Sequence, residues 1–183
     1  MRKIYLIASF AVFIMLTSGC GHIPANLMFS FDTNGNYAGF KTLPENYTPE
    51  QAIKDGCYVT KNLEEIGGGN AWEEFFENSV NGKDSCIRIM SIYDSVTYYE
   101  DVFYVEENYR IFDSASEDMT DHKYKYILDL RGRTPNAVKD SRYVVLTDDE
   151  TLTFEDVSLT FYSSNSEIIN AISPFKIVSG MAL

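Results

Sequence analysis

His22 and His122 are the two imidazole bases of the chain. Neither lies beside a serine or cysteine in a recognisable nucleophile motif, so histidine-based hydrolysis is not expected and no catalytic residue is assigned. Asp32-Thr33-Asn34-Gly35-Asn36 opens like a calcium loop. Its sixth position is Tyr37 instead of glycine and its twelfth is Leu43 instead of glutamate, so a turn is the better reading. Gly67-Gly68-Gly69 lacks the Gly-Lys-Ser/Thr that completes a phosphate loop and reads as a connection. Asp148-Asp149-Glu150 reads as a hydrated acidic turn. No metal and no cofactor are expected.

The three cysteines differ in context. Arg2 and Lys3 precede an apolar run at 4–16, which is too short to cross a bilayer at about 1.5 Å per residue. It ends in Leu16-Thr17-Ser18-Gly19-Cys20. This pattern resembles the lipobox of bacterial lipoproteins. The resemblance implies a signal peptide at 1–19, cleavage before Cys20 and a lipid on its thiol. Loss of Arg2 and Lys3 would take the net charge from −12 to −14. The partner implied is the cell membrane, and the implied location is its extracytoplasmic face. Gly21 follows the cysteine, so no aspartate retention signal is present, which points to a Gram-positive envelope. Cys57 and Cys86 lack CxxC spacing, so zinc and thioredoxin chemistry are not expected. Outside the cell a Cys57–Cys86 disulfide or two buried thiols both fit.

These residues must be positioned by a chain of 183 residues that is 45% hydrophobic and 14% aromatic, ample for one folded domain. We divide it into a tether at 20–47 and a single domain at 48–183. Within the tether, Asn34-Gly35 is a hairpin signal, and a hairpin over 27–43 would either dock on the domain or fray. Thr48-Pro49-Glu50-Gln51 starts a short helix with a capping box, and Gly56 stops it. Trp72, Phe75, Phe76 and Val80 share one face of a second helix, started by Asn70 and ended by Asn81-Gly82. Strands are expected at 57–60, 85–93, 96–105, 109–113, 122–131, 142–147, 151–154 and 157–162, with a last strand or short helix in the tail. The order implies an α+β fold, an antiparallel meander with one or two short N-terminal helices on one face.

Thr48-Pro49-Glu50-Gln51-Ala52-Ile53-Lys54-Asp55-Gly56, then Phe75 to Asn78, Asn81-Gly82-Lys83-Asp84-Ser85 and Ile87-Arg88-Ile89 form a recognisable series. It resembles a family of small secreted and lipid-anchored Gram-positive proteins, domain of unknown function 4362. The likeness runs over roughly 48–147, and Cys86 stands in it as an added residue. It implies location and architecture, and no activity.

Charge is segregated along the domain. Residues 94–121 hold nine acids and one base, 122–142 hold six bases and two acids, and 143–157 hold five acids and no base. Opposite-sign cross-strand pairs explain this, and a basic face for an anionic ligand is the alternative. Nine tyrosines, at 93, 98, 99, 104, 109, 124, 126, 143 and 162, fall on these segments, where a few exposed together could stack sugars or peptides. The net charge of −12 repels nucleic acid. The function expected is binding, without catalysis, of a cell-wall polymer or envelope protein. An envelope enzyme and a purely structural envelope protein are the alternatives.

Overall fold

The structure of the protein is a computed structural model that describes residues 29–34, 36–115, 122–134 and 137–182. The apolar run at 4–16, Cys20 and His22 lie outside the described residues. The fold is α+β, with two sheets instead of one meander. Helix α1 (Pro49–Lys54) leads into β1 (Tyr58–Lys61) and β2 (Glu64–Gly67), then helix α2 (Gly69–Val80). Strands β3 (Ser85–Tyr93), β4 (Val96–Val105), β5 (Asn108–Asp113) and β6 (His122–Tyr124) follow. These build a six-stranded sheet in the order β2-β1-β3-β4-β5-β6. Its pairs are antiparallel except β1 with β3, which run parallel because α2 carries the chain back between them. A second sheet of three antiparallel strands has the order β7-β8-β9, from β7 (Tyr126–Gly132), β8 (Ser141–Thr147) and β9 (Phe175–Ala182). Helices α3 (Phe154–Tyr162) and α4 (Ser166–Ala171) lie between β8 and β9. No helix among the described residues is long and apolar enough to cross a membrane.

The main core joins both sheets. Successive side chains of a strand point to opposite faces. On one face of the large sheet, Tyr58, Ile87, Ile89, Val102, Tyr104, Tyr109 and Ile111 meet Trp72 and Phe75 of α2 and Ile127, Val144, Leu146 and Val178 of the small sheet. The stripe on α2 is narrower than its spacing implies. Trp72 and Phe75 are buried, Phe76 is partly buried and Val80 is 54% exposed. The helix starts at Gly68 in a left-handed conformation (φ 83°), without a side-chain cap from Asn70. A Cβ at Gly68 would run into the Cys57 carbonyl.

The opposite face of the large sheet is covered by the N-terminal segment and α1, so the two early helices lie on different faces. Tyr47 and Ala52 pack with Cys57, Val59 and Met90, while Tyr37 packs with Phe103 and Phe112. The described part of the 20–47 segment is therefore docked. Among the described residues, pairing around Asn34 is the bridge of Phe31 with Tyr37, followed by a 3-10 turn at Gly39–Thr42. At α1 the Thr48 side chain accepts from the Gln51 amide. The Gln51 side chain turns away to donate to Asp55, so the capping box is half formed.

Two sequence expectations are corrected. The run 151–162 is no pair of strands: Phe154–Tyr162 is a helix, capped by a reciprocal Thr153–Asp156 box. Val157 and Leu152 pack it on Val145 of β8. The run 122–131 is no single strand either. It breaks at Lys125, whose amide donates to Asp148 at 3.0 Å, and its two halves join different sheets.

Candidate functional site

The strand alternation of β4 aims Tyr98 and Glu100 at the same side as the core residues Val102 and Tyr104. Asp113 of β5 stands directly across from Glu100 in the register. Like charges placed so oppose folding. Lys176 of β9 answers them, with its Nζ 3.4 Å from Glu100 Oε1 and 3.0 Å from Asp113 Oδ2. Burial pushes the Glu100 carboxyl up to about 7; Lys176 pulls it down and Asp113 adds to the rise. Burial by itself would lower the Lys176 ammonium, and its two carboxylate neighbours more than reverse that.

This cluster borders a cleft of about 580 Å³ between the two sheets. Such a volume suits a small ligand or a short chain segment. Tyr93 and Tyr98 come from the large sheet, Tyr143 from β8, and Phe161 and Tyr162 from the end of α3. Tyr93 and Tyr98 approach each other with ring centroids 6.1 Å apart. Tyr143 stacks on Phe154 at 5.2 Å and on Phe161 at 5.8 Å, which fixes that wall. Leu63, Tyr93, Phe161 and Tyr162 leave 46%, 42%, 55% and 64% of their surface exposed around the cleft.

A second polar cluster lies in the opposite layer, under the N-terminal segment. Arg88 and Asp101 are fully buried there, and the Tyr37 hydroxyl donates to the same Asp101 oxygen that Arg88 Nη2 holds. Burial pushes the Asp101 carboxyl up, against the pull of Arg88 and Tyr37. Burial would lower Arg88, but its bonds to Asp101 hold it charged. With side-chain exposures of 1% and 0%, the pair offers nothing to a ligand and serves to hold the segment down.

The residues singled out in the sequence are scattered. His122 is exposed on β6. Cys57 and Cys86 are thiols, not a disulfide. The parallel register that sets Tyr58 beside Ile89 carries Cys57 toward Arg88, so Cys86 lies further along β3. Burial raises the Cys57 thiol to about 11. Asp32 closes its turn by accepting from the amides of Asn34 and Asn36. Asp149 caps the next turn through Thr151 and accepts from the Ser173 hydroxyl at 2.6 Å. No group of three His, Cys, Asp or Glu among the described residues is placed to hold a metal ion. Of the nine tyrosines, four (93, 98, 143 and 162) meet at the cleft. Tyr104 and Tyr109 are core, and Tyr124 and Tyr126 line a shallower hollow beside Asp148.

The segregated charges pair only in part. Arg142 and Arg131 share Asp129 at 2.7 and 3.2 Å, and Arg133 holds Asp140 at 2.7 Å. Lys123, however, faces Arg110 in the register. Glu100, Asp113, Lys176 and Phe161 escaped the sequence reading. The usable signal was phase: Glu100 sits on the inward alternation of Tyr98, Val102 and Tyr104.

No family model, no curated protein and no solved structure matches this chain.

Proposed function

We propose that the protein is an extracytoplasmic lipoprotein, held to the outer face of the cell membrane by a lipid on Cys20, whose domain binds a ligand in the cleft between its two sheets without turning it over. The observation that carries the binding reading is the convergence of five aromatic rings from four separate elements on one cleft with a Glu100–Lys176–Asp113 cluster beside it. Exposed aromatic surface of this kind, rimmed by polar groups, is costly unless something covers it. The anchor reading rests on Arg2, Lys3, the apolar run and the Leu16-Thr17-Ser18-Gly19-Cys20 ending.

Two experiments test the two halves. Cells expressing the full chain should incorporate labelled palmitate into it, and Cys20→Ala should abolish the label. The detergent-solubilised protein should sediment with purified cell-wall material, and Tyr162→Ala should weaken this. Tyr162 is 64% exposed, so that variant leaves the core intact. Retained label, or sedimentation indifferent to Tyr162, would sink the corresponding half.

One observation favours a second reading, a hydrolase. Glu100 titrates near neutrality beside a second carboxylate, as paired acid and base groups do. Lys176 already engages both carboxylates, which supports the binding reading over this one. Turnover of wall glycans or peptides that disappears in Glu100→Gln would reverse the order.

A further inference from the structure

The cleft contains a run of four consecutive β9 residues, 177–180. A bulge at Val178, where Val145 pairs with Ile177 and Val144 with Ser179, interrupts the alternation within this run. The other lining residues show that the cleft reaches both faces of the small sheet. Val178 belongs to the core between the sheets, whereas Tyr143 and Ile177 belong to the outer cluster beneath α3. A cavity that touches both faces of a sheet reaches them around its rim. Strand β9 is that rim, since it pairs with β8 and closes the order β7-β8-β9. An edge strand leaves alternate backbone amides and carbonyls without a ladder partner, which is a template for another strand. Strand β2 approaches β9 but forms its ladder with β1.

Resting on the proposal that the cleft is a binding site, we infer that its ligand is an extended peptide segment that adds as a strand to the free edge of β9 and directs a basic side chain to Glu100 and Asp113. Three features select this occupant. The edge at 177–180 spans about 13 Å at ~3.3 Å per residue, enough to register roughly four residues of a strand. Glu100 and Asp113 share one ammonium, Lys176, so a ligand ammonium or guanidinium placed beside them favours the ionised form of Glu100 and completes the neutralisation. The charges at the walls are otherwise absent, because Tyr93, Tyr98, Tyr143, Phe161 and Tyr162 supply apolar and aromatic contact for the flanking side chains. The chain's net charge of −12 adds a long-range preference for a basic segment.

The test uses the full-length protein in detergent and a display library of random heptapeptides. Selected peptides should share a Lys or Arg at one fixed position, and replacing it with Glu should cost at least tenfold in affinity. Glu100→Gln should weaken the selected peptide by a similar factor. Backbone N-methylation should discriminate by phase: methyl groups on one set of alternate residues abolish binding, and those on the other set leave it within about threefold. Amide resonances at 177–180 should shift on addition. Peptides without a basic consensus, or binding that tolerates N-methylation in both phases, would overturn the inference. If no peptide is selected while purified glycan strands bind and lose affinity with Tyr162→Ala, the peptide assignment fails and the cleft remains a binding site. If neither peptides nor glycans bind, both readings fail together.

Discussion

Arg88 and Asp101 stand directly opposite each other on β3 and β4, and their side chains form a two-pronged ion pair with both contacts at 2.6 Å. The pair faces away from the cleft, into the layer made by the N-terminal segment. Phe29 and Phe40 lie over the guanidinium at 5.1 and 5.6 Å, and the Gly39 carbonyl accepts a bond from it at 3.4 Å. Tyr37 adds its hydroxyl to Asp101. A buried charge pair of this kind has a geometry to satisfy, and the 29–40 segment supplies the missing partners. Neither residue could be left alone there, because a single buried charge costs several kcal/mol.

Removing one member should therefore do more harm than removing both. Asp101→Ala should destabilise the protein by about 3–5 kcal/mol in denaturant titration. The double variant Arg88→Met with Asp101→Leu should recover most of that loss. A double variant as unstable as the single one would show that the pair contributes net attraction beyond its own desolvation.

The second helix gives a graded series. Phe75 is 2% exposed, so Phe75→Ala should cost about 3–5 kcal/mol. Phe76 is only partly buried and its truncation should cost visibly less. Val80→Ala should stay within about 0.5 kcal/mol, as expected for an exposed site. Equal losses at Phe75 and Phe76 would place the stripe elsewhere on the helix.

Glu100 predicts a pH dependence of stability. Its carboxyl is raised by burial from the ordinary 4.5 to about 7, so between those values the folded protein retains a proton that the unfolded chain releases. Stability then falls as pH rises through this window, by at most about 3 kcal/mol from this group. The groups facing Glu100 are Lys176 from β9, Asp113 from β5 and Tyr93 from β3, while the Asp101 charge acts on it from the opposite face of β4. Glu100→Gln lacks the proton, so the stability of wild type relative to the variant should decline between pH 4.5 and 7. Parallel curves over that range would contradict the assignment.

The Cys57 thiol should be inert in the folded state. It is 0% exposed, and burial raises it to about 11, which leaves little thiolate at neutral pH. Ellman's reagent at pH 8 should modify Cys57 only on a timescale set by opening of the fold, and at once in denaturant. Rapid labelling of Cys57 in native protein would mean that α1 and Tyr47 do not cover it.

The sequence revealed local periodicity better than it revealed partnership. Strands β3 and β4 were legible from their alternation and their Asp94-Ser95 turn. Helix α3 was not, although its signal was present: Phe154, Val157 and Phe161 have helical spacing, and Thr153 with Asp156 forms the capping box. Short apolar runs fit either period, and the change of apolar phase near Glu155 and Asp156 also fits a turn or bulge between two strands. The break at Lys125 was hidden because Tyr124, Tyr126 and Leu128 alternate smoothly across it. A pleat pattern records which side a residue faces and says nothing about which sheet it faces from. The cluster of Glu100, Asp113 and Lys176 depends on that second fact, since Lys176 reaches it from the other sheet. The inward phase of Arg88, among apolar neighbours, was the readable sign of a buried ion pair.

The packing of Phe29 on Phe103, with ring centroids 5.0 Å apart, ties the first described residue to the large sheet. For a chain anchored at Cys20 as proposed, the eight residues 21–28 separate that point from the lipid-bearing cysteine, a reach of at most about 30 Å. The domain would then work within roughly its own diameter of the bilayer surface. Its encounters would be those of a two-dimensional searcher: concentration per unit area of membrane would set its occupancy, and ligands confined to the same thin layer would be met far more often than identical ones deeper in the wall.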